Sequence, residues 1–205
     1  MIRVRQEKPW SQACENNKGP ILAVLRRYLT DARTVLEIGS GTGQHAVFFA
    51  AALPRLVWQC SDLPANHAGI RLWLEEAGLT NVRPPLALDV TAENWGVAEV
   101  DAVFSANTAH IMHWPAVRAM IRGVGRVLKP DGLLLVYGPF SYGGRHTSES
   151  NARFDLSLRA SDPGMGVRDF DAVAREAEAA GLGLVEDCPM PANNRLLVWQ
   201  RPGTP

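Results

Sequence analysis

Glu37-Ile-Gly-Ser-Gly-Thr-Gly43 joins a short apolar run, Val35 to Ile38, to a helix-like stretch that begins near Gln44. Gly39 and Gly41 let the backbone turn sharply and approach a ligand with no Cβ in the way. A plain tight turn needs fewer glycines than three at alternate positions after a buried strand. The segment therefore reads as a binding loop for something flat or charged.

Working outward, short β-branched runs alternate with amphipathic stretches. Strands are expected at Thr34 to Ile38, Leu56 to Ser61, Val82 to Leu88, Val100 to Ser105 and Gly132 to Tyr137. The third is weakened by Pro84 and Pro85. Helices fit at Pro20 to Leu29, Gln44 to Leu53, Ala65 to Ala77, Trp114 to Leu128 and Asp169 to Ala180, with Gly78, Pro130 and Gly181 as stop signals. This alternation predicts β-α units and a parallel sheet. Leu184 to Cys188 and Arg195 to Gln200 are separated only by Pro189 to Asn194, too short for a crossover helix, so these two pair antiparallel. The expected fold is an α/β, Rossmann-like three-layer sandwich: a mostly parallel seven-stranded sheet with an antiparallel C-terminal strand hairpin. One domain spans 1–205, with an N-terminal cap and helix at 1–30. The stretch 139–168 lacks clear periodicity and follows a strand's C-terminal end, where open α/β sheets bind ligands, so it is expected to be a substrate lid.

Composition narrows the class. At 205 residues, with 46% apolar and 20% charged residues, the chain is globular. Its 21 basic and 21 acidic residues cancel, which counts against a nucleic-acid partner. Met1 to Arg5 lead into polar sequence, and no window approaches the roughly 18 apolar residues of a membrane span. A cytoplasmic protein with no membrane partner is expected. Cys14, Cys60 and Cys188 are widely spaced and unpaired in pattern, so they read as ordinary thiols, and no metal is expected.

The spacing of the loop bears on its ligand. A dinucleotide loop reads G-x-G-x-x-G, yet the position for the third glycine holds Gln44 and the extra glycine is Gly43, giving E-x-G-x-G-x-G. A pyrophosphate wants backbone amides and no nearby carboxylate, whereas a sulfonium cofactor carries an ammonium that suits an acidic neighbour. Glu37 is such a neighbour, acting through water or by ordering the loop. A nicotinamide-dependent oxidoreductase fits less well.

In this loop the sequence resembles the class I S-adenosylmethionine-dependent methyltransferases. More narrowly, Gln6-Glu-Lys-Pro-Trp-Ser-Gln-Ala-Cys-Glu-Asn-Asn-Lys-Gly-Pro-Ile-Leu22, Gly39-Ser-Gly-Thr-Gly-Gln-His45, Ser105-Ala-Asn-Thr-Ala-His-Ile-Met-His-Trp114 and Ser150-Asn-Ala-Arg-Phe-Asp-Leu-Ser-Leu-Arg159 resemble the DUF938 family of small methyltransferase-like proteins. Its animal members are called methyltransferase-like 26. The resemblance implies S-adenosylmethionine as cofactor and S-adenosylhomocysteine as product. It implies a cofactor site of Glu37, Gly39, Ser40, Gly41, Thr42, Gly43, Asp62, Leu63, Asp89, Val90 and Asn107. Asp62, about 19 residues after Gly43, would accept from both ribose hydroxyls, and Asp89 from the adenine amino group. Either aspartate alone would read equally well as a strand-end turn residue.

Methyl transfer from a sulfonium is an in-line displacement that mainly needs alignment, so a general base is optional. His110, in the loop after the fourth strand, is the candidate base, with His113 and Tyr142 in reserve. A histidine near a strand end is as often structural. The absence of N-P-P-Y or D-P-P-Y there counts against methylation of glutamine or adenine nitrogens. Arg145, His146, Asn151, Arg153, Asp155 and Arg159 crowd the lid, which suggests a polar, even anionic, small-molecule acceptor. The bland alternative is a solvated loop with internal salt bridges. The acceptor contacts are therefore expected from Asn17, His113, Tyr142, Asn151 and Arg153. Glu15-Asn-Asn-Lys18 either folds over the cofactor or caps the first helix. A catalytically silent S-adenosylmethionine-binding module acting through a partner protein is the second reading. Oligomeric state is open, a homodimer included.

Overall fold

The computed structural model describes residues 7–203. Met1 to Gln6 and Thr204-Pro205 lie outside the described residues, and with them the polar start at Met1 to Arg5 and the first part of the 1–30 cap. In chain order the elements are α1 (Gln12–Tyr28), β1 (Thr34–Ile38), α2 (Gln44–Ala52), β2 (Val57–Asp62), α3 (His67–Ala77), β3 (Val82–Ala87), β4 (Val100–Ala106) and α4 (Trp114–Val127). They continue with β5 (Leu128–Gly138), β6 (Phe140–Tyr142), β7 (Arg145–His146), α5 (Glu149–Ser161), β8 (Arg168–Asp169), α6 (Phe170–Ala179), β9 (Gly183–Met190) and β10 (Asn194–Gln200).

One seven-stranded sheet runs in the order β3-β2-β1-β4-β5-β10-β9. β1 pairs parallel with β2 and β4, and β10 runs antiparallel between β5 and β9. The expected Rossmann-like sandwich with an antiparallel C-terminal hairpin is therefore the observed fold. The chain steps outward from β1 to β3, then returns to start β4 on the other side of β1. That reversal opens a crevice above the C-terminal ends of β1 and β4, where doubly wound sheets bind ligands.

Both faces of the sheet are covered, which is why its central strands read as continuous apolar runs. Leu36 and Ile38 pack towards α4 and α6 with Val103, Met120, Ile121 and Val136. Their neighbour Val35 points the other way, onto α1 and α2, among Leu25, Phe49, Trp58 and Phe104. Phe49 lies 5.5 Å, centroid to centroid, from both Trp58 and Phe104. Truncating Phe49 to Ala would cost about 3–5 kcal/mol.

Three local expectations change. Helix α1 begins at Gln12 rather than Pro20, because Ser11 caps it by accepting from the Cys14 N–H at 3.4 Å, and Pro20 sits inside the helix. Its buried face, Asn17, Ile21, Leu22, Val24 and Leu25, carries it through the proline. Pro130 does not stop a helix: α4 has already ended at Val127, and Pro130 lies in β5, where pairing with β4 slips between Val100 and Ala102. Asp131, at φ 63°, sits in the same slip. Pro84 and Pro85 are tolerated because β3 is an edge strand whose register shifts beside them.

The stretch 139–168 is not a loop. It folds as β6, β7 and α5, and β6 also pairs with β8 in a small three-stranded sheet, β7-β6-β8. Helix α5 escapes a periodicity reading because its buried positions are Asn151 and Asp155 rather than aliphatic residues. Its start is nevertheless written in sequence, since the Ser148 Oγ accepts from the Asn151 N–H at 3.1 Å. No helix among the described residues is long and apolar enough to cross a membrane.

Candidate functional site

A cavity of about 610 Å³ occupies the crevice, running from Gly39, Gly41 and Asp62 past Asn107 and His110 to Phe154. Its near end is the loop between β1 and α2. Gly39 has φ 74°, and a Cβ there would fall 2.6 Å from the Thr108 Oγ1, so only glycine fits. Gly41 has φ 58° and lines the cavity, and a Cβ there would meet nothing within 4 Å. The loop thus offers bare backbone to whatever lies in front of it.

Hydrogen bonds fix this loop from behind. The N–H groups of Gly39 and Ser40 both donate to the Ser61 carbonyl at 3.0 Å, and the Ser40 Oγ accepts from the Ser61 N–H at 3.1 Å. Glu37 is buried on the face of β1 that carries Trp58, and its Oε2 accepts from the Ser40 Oγ at 2.9 Å and the Trp58 Nε1 at 3.0 Å. Burial pushes its carboxyl up to about 7 against the opposing pull of those two bonds. Of the two roles open to Glu37, the geometry matches ordering of the loop, since the residue is not on the cavity wall.

Asp62, at the end of β2, is on the wall. Its Oδ2 accepts from the Gly41 N–H at 2.7 Å, and its Oδ1 from the Leu63 N–H at 2.7 Å and the Asn66 Nδ2 at 2.8 Å. Oδ2 therefore keeps a lone pair free beside the loop. Thr42 also lines the cavity, while Gly43 caps α2 at φ 92° and donates to the Ser40 carbonyl at 2.9 Å. Asn107 lines the cavity in a left-handed conformation, φ 55°, which asparagine tolerates better than most residues.

The other expected cofactor residues stand apart. Leu63 is exposed and touches Asp62 through its backbone. Val90 is buried in the core beside Leu88. The Asp89 Oδ1 accepts from the Thr91 N–H at 2.8 Å and Oγ1 at 2.7 Å, bonds that hold its carboxyl below the usual range. Asp89 is exposed and absent from the cavity wall, so its observed work is that of a strand-end turn residue.

Sequence reasoning missed the clasp behind the loop. Gln44, noted only as a departure from glycine, accepts from the Ser11 N–H at 2.6 Å and donates to the Glu15 Oε1 at 2.8 Å. The His45 Nε2 meets the Asn17 Oδ1 at 2.7 Å, and burial lowers His45 to about 4. Glu15 and Asn17 thus bind the first turns of α1 to the loop, bringing Ser11 and Cys14 to the cavity wall. Asn17 itself lies behind that wall. The signal was available as Ser11 to Lys18, a capped polar helix start beside a polar Gln44-His45 pair.

At the far end, His110 is buried at the wall with its ring edge-on to Phe154, centroids 5.3 Å apart. Burial, then the nearby Arg168 charge, lowers it to about 4, so it is neutral at physiological pH. No hydrogen bond to its ring is formed among the described residues. Arg168, also missed, braces this loop from beneath: its guanidinium donates to the carbonyls of Ala109 and Gly164, both at 2.9 Å, and to that of Met112.

The two reserve bases are engaged elsewhere. The His113 Nε2 lies 2.8 Å from the Asp162 Oδ2. The Tyr142 hydroxyl donates to the Asp187 Oδ2 at 2.7 Å while its ring stacks on Phe170, and burial pushes its phenol up. Neither lines the cavity. Arg153 is exposed and reaches only Glu149, at 3.7 Å, because α5 turns Ser150, Asn151 and Phe154 inward instead. The Asn151 Nδ2 donates to the Thr147 Oγ1 and the Asn193 carbonyl, both at 3.0 Å, leaving its Oδ1 uncommitted. Arg159 and His146 pair with Asp155 at 2.9 Å and 3.5 Å. The lid charges therefore largely satisfy one another, as in the bland reading.

Comparisons with known proteins agree with this architecture. Residues 8–201 match the family described as a protein of unknown function, DUF938. Over 122 residues the chain is 32% identical to the C-methyltransferase NovU of Streptomyces niveus, covering 58% of this chain and 27% of that protein. An O-methyltransferase family protein from Burkholderia thailandensis superposes with a TM-score of 0.82 at 22% identity, over 94% of this chain and 58% of its own. Human N-acetylserotonin methyltransferase in complex with SAM gives 0.78 at 16% identity, over 94% and 53%. The chain thus spans about a quarter of the curated relative and just over half of these two structures, and the structural likeness establishes the fold.

Proposed function

The chain belongs to the DUF938 family, and we propose that it binds S-adenosylmethionine along Gly39 to Asp62 and transfers its methyl group to a small molecule at the His110 end of the cavity. The observation that carries this reading is the pairing of Gly41, whose missing Cβ leaves open space, with the Asp62 carboxylate 2.7 Å from its N–H on the same wall. Bare backbone and a carboxylate with one free lone pair suit a ligand with a polar chain and a hydroxyl beside it. One C-methyltransferase at 32% identity over 122 residues and an O-methyltransferase family protein of the same fold support it.

When bound, the cofactor supplies a methyl group on an already activated leaving group. The protein's own residues then hold and align. The loop, fixed by Glu37, Ser40 and Ser61, presents Gly39 to Thr42, and Asn107 stands between the two ends of the cavity. His110, neutral and with no hydrogen bond to its ring among the described residues, accepts a hydrogen bond from an acceptor bearing O–H or N–H. S-adenosylhomocysteine is the product in this reading, and the cofactor site needs no metal. The cavity wall joins loops of the one sheet, Gly39 to Thr42, Asp62 and Asn107, to the start of α1 and to α5, which supports a single domain. The kinship with methyltransferase-like 26, a cytoplasmic location and the absence of a nucleic-acid partner belong to the same reading.

Titration calorimetry with S-adenosylmethionine and S-adenosylhomocysteine tests it. Both should bind at one site per chain and compete with each other. A folded protein that binds neither would overturn the proposal.

A further inference from the structure

The far end of the cavity carries chemistry that the lid sequence did not suggest. Among the described residues on the cavity wall, Asp62 is the single Asp, Glu, Lys or Arg, and it sits at the loop end. Towards the His110 end the described wall includes Ile111, Pro139, Ser150, Asn151, Phe154 and Asn194. An anionic or cationic group brought here would leave water and meet no oppositely charged side chain among the described wall residues, since the nearby Arg168 guanidinium lies behind the wall and is engaged by the carbonyls of Ala109, Met112 and Gly164, so the exchange is costly.

The same end exposes large apolar side chains. Ile111 is 47% exposed and Phe154 40% exposed, although both line a concave site. Apolar surface left open inside a cavity is the usual mark of a ligand with an apolar body. Phe154 and His110 pack edge to face at 5.3 Å and 73°, a contact that takes up at most one face of the Phe154 ring. A second flat ring can stack there in the offset geometry that aromatic pairs favour. His110 adds one polar feature, a neutral ring whose unprotonated nitrogen accepts a hydrogen bond, and the Asn151 Oδ1 adds another.

We infer that the His110 end of the cavity is a subsite for a flat, uncharged, largely apolar molecule carrying a hydroxyl, its body against Phe154 and Ile111 and its O–H directed to His110. The designation of this end as the acceptor end rests on the proposed function. The subsite itself rests on the wall composition.

The test is equilibrium binding of three probes to the intact protein, free and loaded with S-adenosylhomocysteine: 1-naphthol, 1-naphthoate and inositol. The first has the flat body and the hydroxyl, the second replaces the hydroxyl with a charge, and the third has hydroxyls without the body. 1-Naphthol should bind at least about tenfold tighter than either, as loss of one apolar body or one desolvated charge implies. Phe154→Ala should weaken 1-naphthol about tenfold, while Leu156→Ala, on the same helix but 68% exposed and off the cavity wall, should leave it unchanged. Ile111→Ser provides a second cavity variant should Phe154→Ala not fold.

Equal or tighter binding of 1-naphthoate or inositol overturns the inference, as does 1-naphthol binding that is indifferent to both cavity variants, or no 1-naphthol binding at all. Failure to bind S-adenosylhomocysteine alongside Phe154-dependent binding of 1-naphthol would sink the proposed function and leave the subsite standing.

Discussion

The two ends of the cavity are built by opposite means. At the loop end, backbone groups and carboxylates are held by internal bonds: Ser61 carries Gly39 and Ser40, Glu37 carries Ser40, and Asp62 carries Gly41. At the far end, the groups facing the cavity are side chains with unused capacity, the His110 ring, the Asn151 Oδ1 and the exposed faces of Phe154 and Ile111. A preformed end loses little on receiving its ligand, whereas an uncommitted end takes its specificity from the ligand it orders. Substitutions should therefore act sharply at the loop end and selectively at the far end.

The largest effect is expected from Gly41→Arg. The backbone there is left-handed and Gly41 lines the cavity, so a long side chain both strains the loop and takes up space in front of it. S-adenosylmethionine binding should fall below detection by calorimetry, with circular dichroism unchanged. Retained affinity would show that the loop is not the binding surface.

Asp62→Ala comes next, at about 1.5–3 kcal/mol of cofactor affinity, the usual cost of lost charge-assisted hydrogen bonds. Because Asp62 also bonds Gly41, Leu63 and Asn66, Asp62→Asn serves as the partner variant. It keeps one acceptor oxygen and should lose less. Unchanged affinity in folded Asp62→Ala would remove Asp62 from the site.

Both ends also share a pH signature. His45 and His110 are lowered from 6.5 to about 4, so as pH falls through that window the unfolded chain takes up protons first and stability is lost, by up to about 3 kcal/mol for each histidine. Glu37 is raised from 4.5 to about 7, so the folded chain holds that proton longer. Its contribution has the opposite sign: it is present below pH 4.5 and lost as pH rises through 7. It offsets about one of the two histidines. Glu37→Gln removes the offset, and urea midpoints should fall more steeply with acidification from pH 6.5 to 5 than in the wild type. Parallel curves would place the Glu37 titration elsewhere.

The same contrast explains what the sequence could be made to say. The glycine loop, the apolar strands and the short hairpin were legible because backbone geometry and two-sided burial leave marks on composition: Gly39 has no alternative beside Thr108. Gln44, Glu15 and Asn17 were readable only in part, since a clasp between α1 and α2 is a tertiary contact between residues that look like ordinary helix starts. Of the two readings of the lid, the charged grip and the solvated surface with internal salt bridges, the geometry matches the second. Counting Arg145, His146, Arg153 and Arg159 gave its charge, yet which side chains enter the cavity depends on the rotation of α5. That rotation is set by Asn151 and Asp155, buried polar residues that an apolar periodicity search passes over.

Arg153 is where that rotation makes the smallest and most discriminating difference. A lid that gripped an anionic acceptor would need its guanidinium in the cavity, and Arg153→Ala would then impair turnover. With the side chain turned to solvent and Glu149 at 3.7 Å, an exposed pair of this kind contributes little. Arg153→Ala should leave cofactor affinity, 1-naphthol affinity and unfolding midpoint all within about twofold or its equivalent, as for surface substitutions in general. A selective loss of 1-naphthol binding would mean that α5 rotates when the far end is filled, turning Arg153 inward and Phe154 away. The uncommitted end would then be shaped by its ligand in backbone as well as in side chains.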